Sequence, residues 1–301
     1  MRLLLVDGHY YLYRSFFAIR GLTNSRGEPT NAIYGFAKAL RKMIADVKPD
    51  LGAVIWDCGL PERRTTLQPE YKQNRPSMPD EMRSQEAWLQ KNVSLFGPAS
   101  LCLPNTEADD LIASYAFAAV REGAEVVVAT NDKDILQIVS PSIRIYSTNK
   151  TDAGTAGFAL LGEPEVRVKW GVDPARIGEV LALTGDTSDN IPGVPGVGEK
   201  TAAQLVREFG TVNDLLARTA EIKSDKVREK ILAARDLILA NRQMVALDED
   251  LPLPQPVSAL GIRPDYPALI EAVKGCEFKS LLKEIETEAM ARAVPAQGEL
   301  L

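Results

Sequence analysis

Glu125-Val126-Val127-Val128-Ala129-Thr130-Asn131-Asp132-Lys133-Asp134 runs from an unbroken apolar stretch straight into two acids. Continuous aliphatic character over Glu125 to Ala129 predicts a strand covered on both faces, as in a parallel sheet packed between helices. Two other runs share this form, Leu3 to Val6 followed by Asp7, and Leu51 to Trp56 followed by Asp57. Helical periodicity over Ala32 to Val47 and Ala108 to Arg121 separates the runs and gives a β-α-β-α order. Weaker strand signals lie at Leu101 to Leu103 and Ile143 to Tyr146. The expected fold class is α/β, a mostly parallel sheet flanked by helices.

Beyond Trp170 the pattern becomes helical, over Pro174 to Leu183, Glu199 to Phe209, Val212 to Arg218, Lys223 to Leu247 and Pro267 to Glu288. The expected division is an α/β core over 1–168, an all-helical region over 169–290, and a short tail over 291–301. Between Leu60 and Met82 lies a polar segment punctuated by Pro61, Pro69, Pro76 and Pro79, too long for an ordinary connector and read as a lid. There is no internal repeat.

The bulk numbers narrow the class. The chain has 301 residues, 45% hydrophobic and 25% charged, enough to bury a large core. No apolar run approaches the ~20 residues of a bilayer span, and the amino terminus turns acidic too early for a signal peptide. Cys58, Cys102 and Cys276 are an odd number, far apart in sequence, and read as reduced core thiols. A cytoplasmic, membrane-free protein is expected. A net charge of −6 is not the footprint of a protein that coats nucleic acid. If nine of the 41 acids serve a metal site, however, the other 32 face 35 basic residues, and the remaining surface is net positive by 35 − 32 = 3.

Asp7, Asp57, Asp132 and Asp134 each follow a strand, and open α/β sheets bind ligands at the strands' carboxyl ends. Glu107, Asp109 and Asp110 open a helix just after Leu101 to Leu103. Each acid alone has an ordinary reading, as a helix cap or a turn residue. Crowded at one rim they repel and raise each other's pKa, which is sensible chiefly if cations neutralise them. All-oxygen ligation points to Mg²⁺ or Mn²⁺, because zinc and copper recruit imidazole or thiolate, and His9 is the single histidine. His9 is read as a structural hydrogen-bonding residue.

The run Gly185-Asp186-Thr187-Ser188-Asp189-Asn190-Ile191-Pro192-Gly193-Val194-Pro195-Gly196-Val197-Gly198-Glu199-Lys200-Thr201-Ala202 joins two features. Asp186 and Asp189 add carboxylates, while Gly193, Gly196 and Gly198 make a hairpin before a helix, where backbone N–H groups, Lys200 and Thr201 suit a DNA phosphate. In the lid, Arg63, Arg64, Tyr71, Lys72 and Arg75 suit a single strand, with Tyr71 stacking on a base. Arg14, in the aromatic run Tyr10 to Phe17, and Lys133, between two acids, are weaker candidates for reaching the scissile phosphate. Most rings of that run are expected in the core.

These stretches resemble the 5′ nuclease domain of bacterial DNA polymerase I, in the flap endonuclease superfamily. The likeness rests on Val6-Asp7-Gly8 with Tyr11 to Arg14, Leu22 to Ser25, Tyr71-Lys72 through Arg75, Glu107 to Asp110, Asp132 to Asp134, Gly185 through Ala202, and Glu277 to Leu282. It implies a PIN-like core with a helical arch at about 60–95, and a helix-hairpin-helix with its hairpin at 191–200. It also implies a metal set of Asp7, Asp57, Glu107, Asp109, Asp110, Asp132, Asp134, Asp186 and Asp189. Tyr71, Lys72 and Arg75 fall in the arch, through which a 5′ strand threads, and a potassium ion is implied at the hairpin carbonyls. Asn131, His9 and Trp56 depart from the usual glycine, small polar residue and phenylalanine. No polymerase domain follows, so a stand-alone monomer is expected, with a separately encoded polymerase left open as a partner.

The expected activity is 5′→3′ exonuclease and 5′-flap endonuclease action on DNA by two or more Mg²⁺ or Mn²⁺ ions, in replication or repair. The alternatives are a related ribonuclease and a non-catalytic, structure-specific DNA-binding protein.

Overall fold

In a computed structural model describing residues 1–149, 152 and 157–293, the strands form where the apolar runs lie. The tail expected at 291–301 falls outside the described residues beyond 293, and 291–293 close a helix. Two compact units are present, each assembled from separated stretches: 1–56, 78–101 and 255–293 in the first, 57–77 and the described part of 102–254 in the second.

In the first unit, β1 (Arg2–Asp7), β2 (Leu51–Ile55) and β3 (Ala99–Leu101) run parallel, with Leu3 opposite Leu51 and Ile55 opposite Leu101. Leu3, Leu4, Leu5, Val54 and Ile55 are fully buried, as covered strands require. Helix α1 (Gly8–Ala18) starts at Asp7, whose Oδ1 accepts the Tyr10 N–H at 2.9 Å. Helix α2 (Asn31–Val47) buries Ile33, Phe36, Ala37, Leu40, Met43 and Val47 at helical spacing. Its first turn is capped from another element. Gln85, on helix α4 (Asp80–Asn92), accepts at Oε1 from the Ala32 and Ile33 N–H groups at 2.7 and 3.2 Å.

The helices Tyr266–Gly275 and Lys279–Ala293, grouped by sequence with the helical region, pack in this first unit. The Phe278 ring meets Tyr34 edge-on at 5.1 Å, Lys38 pairs with Glu284 at 3.0 Å, and the Gly52 N–H reaches Leu260 O at 2.8 Å. One continuous helix was expected there. It breaks at Glu277, whose φ of 61° is left-handed.

The second unit contains β4 (Glu125–Ala129), parallel to β5 (Ile143–Ser147), which pairs antiparallel with β6 (Ala159–Leu161). Three of the four strand pairings named are therefore parallel. Sequence reading misses β6 because it is three half-buried residues long. Helix α3 (Glu62–Leu67) and helix α5 (Ala108–Arg121) also belong here, α5 burying seven apolar or small residues besides Tyr115. Beyond Trp170 come the helices Ile177–Thr184, Glu199–Phe209, Val212–Ala217, Asp225–Ala233 and Arg235–Met244. The last two were expected as one and part at Ala234. Among the described residues no helix is long and apolar enough to cross a membrane.

Two sequence expectations are corrected. Of the rings between Tyr10 and Phe17 only Tyr11 is buried, and Phe17 is 61% exposed, because α1 turns just one face inward. The cysteines are not all core thiols. Cys276 is buried, whereas Cys102 is exposed; partial burial and the neighbouring Cys58 thiol push Cys102 up.

Candidate functional site

The second unit brings acids of two segments together. Asp134, Asp186 and Asp189 each offer an oxygen within 4.8 Å of the others. Asp134 follows β4, while the other two sit in the loop after the helix Ile177–Thr184, closed by the mutual backbone bonds of Asp186 and Ile191 at 2.7 and 2.8 Å. Local hydrogen bonds set the side chains. Asp132 Oδ1 accepts the Asp134 N–H at 2.9 Å, and Asp186 Oδ1 accepts the Ser188 N–H and hydroxyl at 2.9 and 2.6 Å. Ser188 was missed in the sequence, although an acid two residues before a serine is a recognised turn pattern.

Electrostatics follow from this crowding. Asp134 is pushed well above the usual carboxylate range by burial and then by Asp132, Asp186 and Asp189. Asp132 is raised by burial, with Asp189 and Asp186 adding to it and the Asp134 N–H opposing. Burial also works on Asp186, but the Ser188 hydroxyl and Lys133, 3.1 Å away, bring it below its ordinary value. Asp134 Oδ1 is sealed from solvent with no hydrogen-bond partner, a position a buried oxygen rarely holds. An all-carboxylate group with an unpartnered inward oxygen fits a hard divalent cation.

A second group forms at the start of α5. Asp57 Oδ1 accepts the Ala108 N–H at 2.7 Å and so caps that helix. Asp109 is half-buried on its first turn. Glu107 is buried and receives the Tyr71 hydroxyl at 3.1 Å, with Lys72 and Arg64 also bonded to it. Asp110 is 0% exposed and takes the Arg64 fork at 2.7 and 2.8 Å. Asp7 lies in the first unit, where it caps α1.

The segment read as a lid is tied to the Asp186 loop. The Lys72 N–H donates to Asp189 O at 3.1 Å, Asn74 to Thr187 O at 2.7 Å, and Asn190 to Glu70 O at 2.7 Å. Lys72 Nζ lies 3.6 Å from Asp189, and Arg75 bonds that same carboxylate. Lys72 holds a left-handed φ of 59° among these bonds, a conformation disfavoured for lysine and maintained by its surroundings.

Three residues of this segment differ from expectation. Tyr71 is 4% exposed, its hydroxyl also reaching Asp189 at 3.0 Å, so its ring is not offered to a base. Arg64 is buried against carboxylates and carbonyls rather than free for phosphate. Arg63 likewise donates to Gln243 O and Ala246 O beyond the helix Arg235–Met244. In the first unit, Arg14 is exposed beside the Tyr11 ring, and His9 Nε2 meets Glu86 at 2.8 Å, the structural role expected for it.

The hairpin glycines divide by role. A Cβ on Gly193 would fall 2.0 Å from Thr184 O, and one on Gly185 2.4 Å from the Gly193 nitrogen, so these two positions pass backbone against backbone. Gly196 has a left-handed φ of 72° and its carbonyl accepts from Lys230 Nζ at 3.2 Å. Gly198 faces open space, and with exposed Lys200 and half-buried Thr201 it opens the helix Glu199–Phe209.

Residues 2–171 match the family described as 5′-3′ exonuclease, N-terminal resolvase-like domain, and residues 172–267 match 5′-3′ exonuclease, C-terminal SAM fold. DNA polymerase I of Rhizobium leguminosarum is 38% identical over 292 residues, which cover 94% of this chain and 28% of the relative. The chain thus spans roughly a third of the length of such curated relatives. Among solved structures, T5 5′-exonuclease with divalent metal ions (zinc) bound aligns at a TM-score of 0.68 and 19% identity, covering 97% of this chain and 99% of that one. The catalytic core of Rad2 in complex with DNA substrate aligns at 0.58 and 16%, covering 91% and 87%. At these identities the likeness to solved structures is one of fold.

Proposed function

Because the chain belongs to the 5′-3′ exonuclease family, we propose that it hydrolyses phosphodiester bonds of DNA at a 5′ end, flap or nick, with Mg²⁺ or Mn²⁺ as cofactor. The observation that carries this reading is the grouping of Asp134, Asp186 and Asp189, with an oxygen of each within 4.8 Å of the others, together with the buried, unpartnered Oδ1 of Asp134. Divalent cations held there supply Lewis-acid stabilisation of the charge that develops on the phosphodiester. In the proposal Asp132, Asp134, Asp186 and Asp189 hold cations, with Asp57, Glu107 and Asp109 at the α5 start. Asp7 keeps its place in the set on sequence resemblance. Lys72, Arg75 and Lys133 are the cations assigned to the phosphate side. Their present partners are carboxylates, and Arg75 at 45% and Lys133 at 33% exposure have solvent to turn into. Arg14 is retained as a weaker candidate.

The helical region 169–290 is proposed to hold duplex DNA at the hairpin 191–200 through Gly196, Gly198, Lys200 and Thr201, with a potassium ion at hairpin carbonyls by resemblance. A cytoplasmic monomer acting in replication or repair, with a polymerase as partner, completes the reading. Product mapping on 5′-labelled flap, nicked and blunt DNA tests it. Wild type is expected to release short 5′ products in Mg²⁺, and Asp132→Asn to lose about 10²- to 10³-fold in rate, the magnitude expected when one group that stabilises developing charge is removed. Undiminished cleavage by Asp132→Asn defeats the reading, and binding without cleavage of any substrate favours a non-catalytic protein.

A further inference from the structure

Arg64 has five N–H donors, and all are used. Nε donates to Met244 O at 2.9 Å, Nη1 to Glu107 and to Asp110 Oδ2 at 2.7 Å, and Nη2 to Asp110 Oδ1 at 2.8 Å and Ala246 O at 2.9 Å. Its side chain is 4% exposed. Asp110 is equally occupied, because Oδ1 also accepts the Asp248 N–H at 3.0 Å. This differs from Asp186 and Asp189, whose partners Lys133 and Arg75 are 33% and 45% exposed, although Lys72 beside Asp189 is less so, and whose group includes the unpartnered Asp134 Oδ1. A cation approaching Asp110 would have to displace a planar guanidinium that is held on every edge and 4% exposed.

We infer that Asp110 is the anchor of Arg64 rather than a cation ligand, and that the two form a buried positioning pair. The pair holds the first turn of α5, and with it Glu107, against the chain leaving the helix Arg235–Met244. Acids at the α5 start and the helical stretch that ends at Met244 then share one rigid joint, so the carboxylates are placed by a residue that touches neither DNA nor metal. This rests on the nuclease reading of the same site and removes Asp110 from the nine acids that the sequence resemblance implies as ligands.

The test uses the full chain, with Mn²⁺ uptake by calorimetry beside steady-state cleavage of a labelled 5′ flap. Asp134→Asn is the control and is expected to weaken Mn²⁺ at least tenfold. Asp110→Asn is expected to leave the Mn²⁺ Kd within twofold and the half-saturating Mg²⁺ unchanged, while kcat drops tenfold or more. Arg64→Gln should match that loss, and the double variant, with two neutral amides facing each other, should recover part of it. If Asp110→Asn does not fold alone, the double variant carries the Mn²⁺ measurement. A tenfold weaker Mn²⁺ Kd in Asp110→Asn, or strictly additive losses in the double variant, overturns the pair. If Asp134→Asn leaves Mn²⁺ uptake intact, the metal reading falls, and the Arg64 and Asp110 cycle still decides the pair.

Discussion

At the scale of single residues the site is a balance of buried charge. Asp134 is held far from its ordinary ionisation by burial and by the acids beside it, so its charge destabilises the metal-free fold. Asp134→Asn is therefore expected to raise the melting temperature without metal and to abolish most of the stabilisation that Mn²⁺ confers on wild type. Binding contributes about 2.7 kcal/mol at a hundredfold excess over Kd, readable by calorimetry with and without chelator. Cys276 is likewise raised by burial, which, with Glu28 adding and Arg26 opposing, pushes its thiol up to about 11 from 9.0. The raised pKa favours the neutral thiol, so its stabilising contribution is complete below about pH 9 and is lost as pH rises through about 11. Alkylation of the native protein at pH 8 should mark exposed Cys102 first and Cys276 last, by mass spectrometry of quenched time points. Single-residue chemistry was only partly legible in the sequence. The acids could be found because each follows an apolar run. The partners of Arg64 and Tyr71 could not, because a polar segment rich in Arg and Tyr looks the same whether it meets phosphate or folds back on carboxylates more than 30 residues away.

At the scale of elements, periodicity found the long helices and covered strands within a residue or two, since burial dictates the pattern there. It missed β6 and the breaks at Ala234 and Glu277, which depend on local backbone angles rather than on a face. The hairpin glycines give the sharpest prediction at this scale. Gly193→Ala drives a methyl into the Thr184 carbonyl and should cost about 2 kcal/mol or more, whereas Gly198→Ala meets open space and should leave the melting temperature within a degree or two. If Gly198→Ala nonetheless weakens duplex binding by fluorescence anisotropy, close backbone approach to DNA is the cause. Equal thermal losses for both variants would contradict the backbone contact between Gly185 and Gly193.

For the molecule as a whole, the net charge of −6 hides a local division, with Asp134, Asp186 and Asp189 grouped together and Lys200 left exposed beside Gly198. Duplex affinity is accordingly expected to fall steeply with salt, and Lys200→Ala to flatten the slope of log K against log salt by about one. An unchanged slope would place Lys200 off the phosphate path. The interleaving of the two compact units was not legible in the sequence, because apolar runs show what is buried and not which distant stretch buries it. That interleaving has a consequence during synthesis. The unit holding Asp57, Glu107, Asp132 and Asp186 has all its residues once translation reaches 254, while the unit begun by β1 waits for 255–293 to supply the edge contact at Gly52 and the Phe278 ring. At ribosomal rates that interval is on the order of seconds, during which the earliest strands to emerge have no finished surroundings.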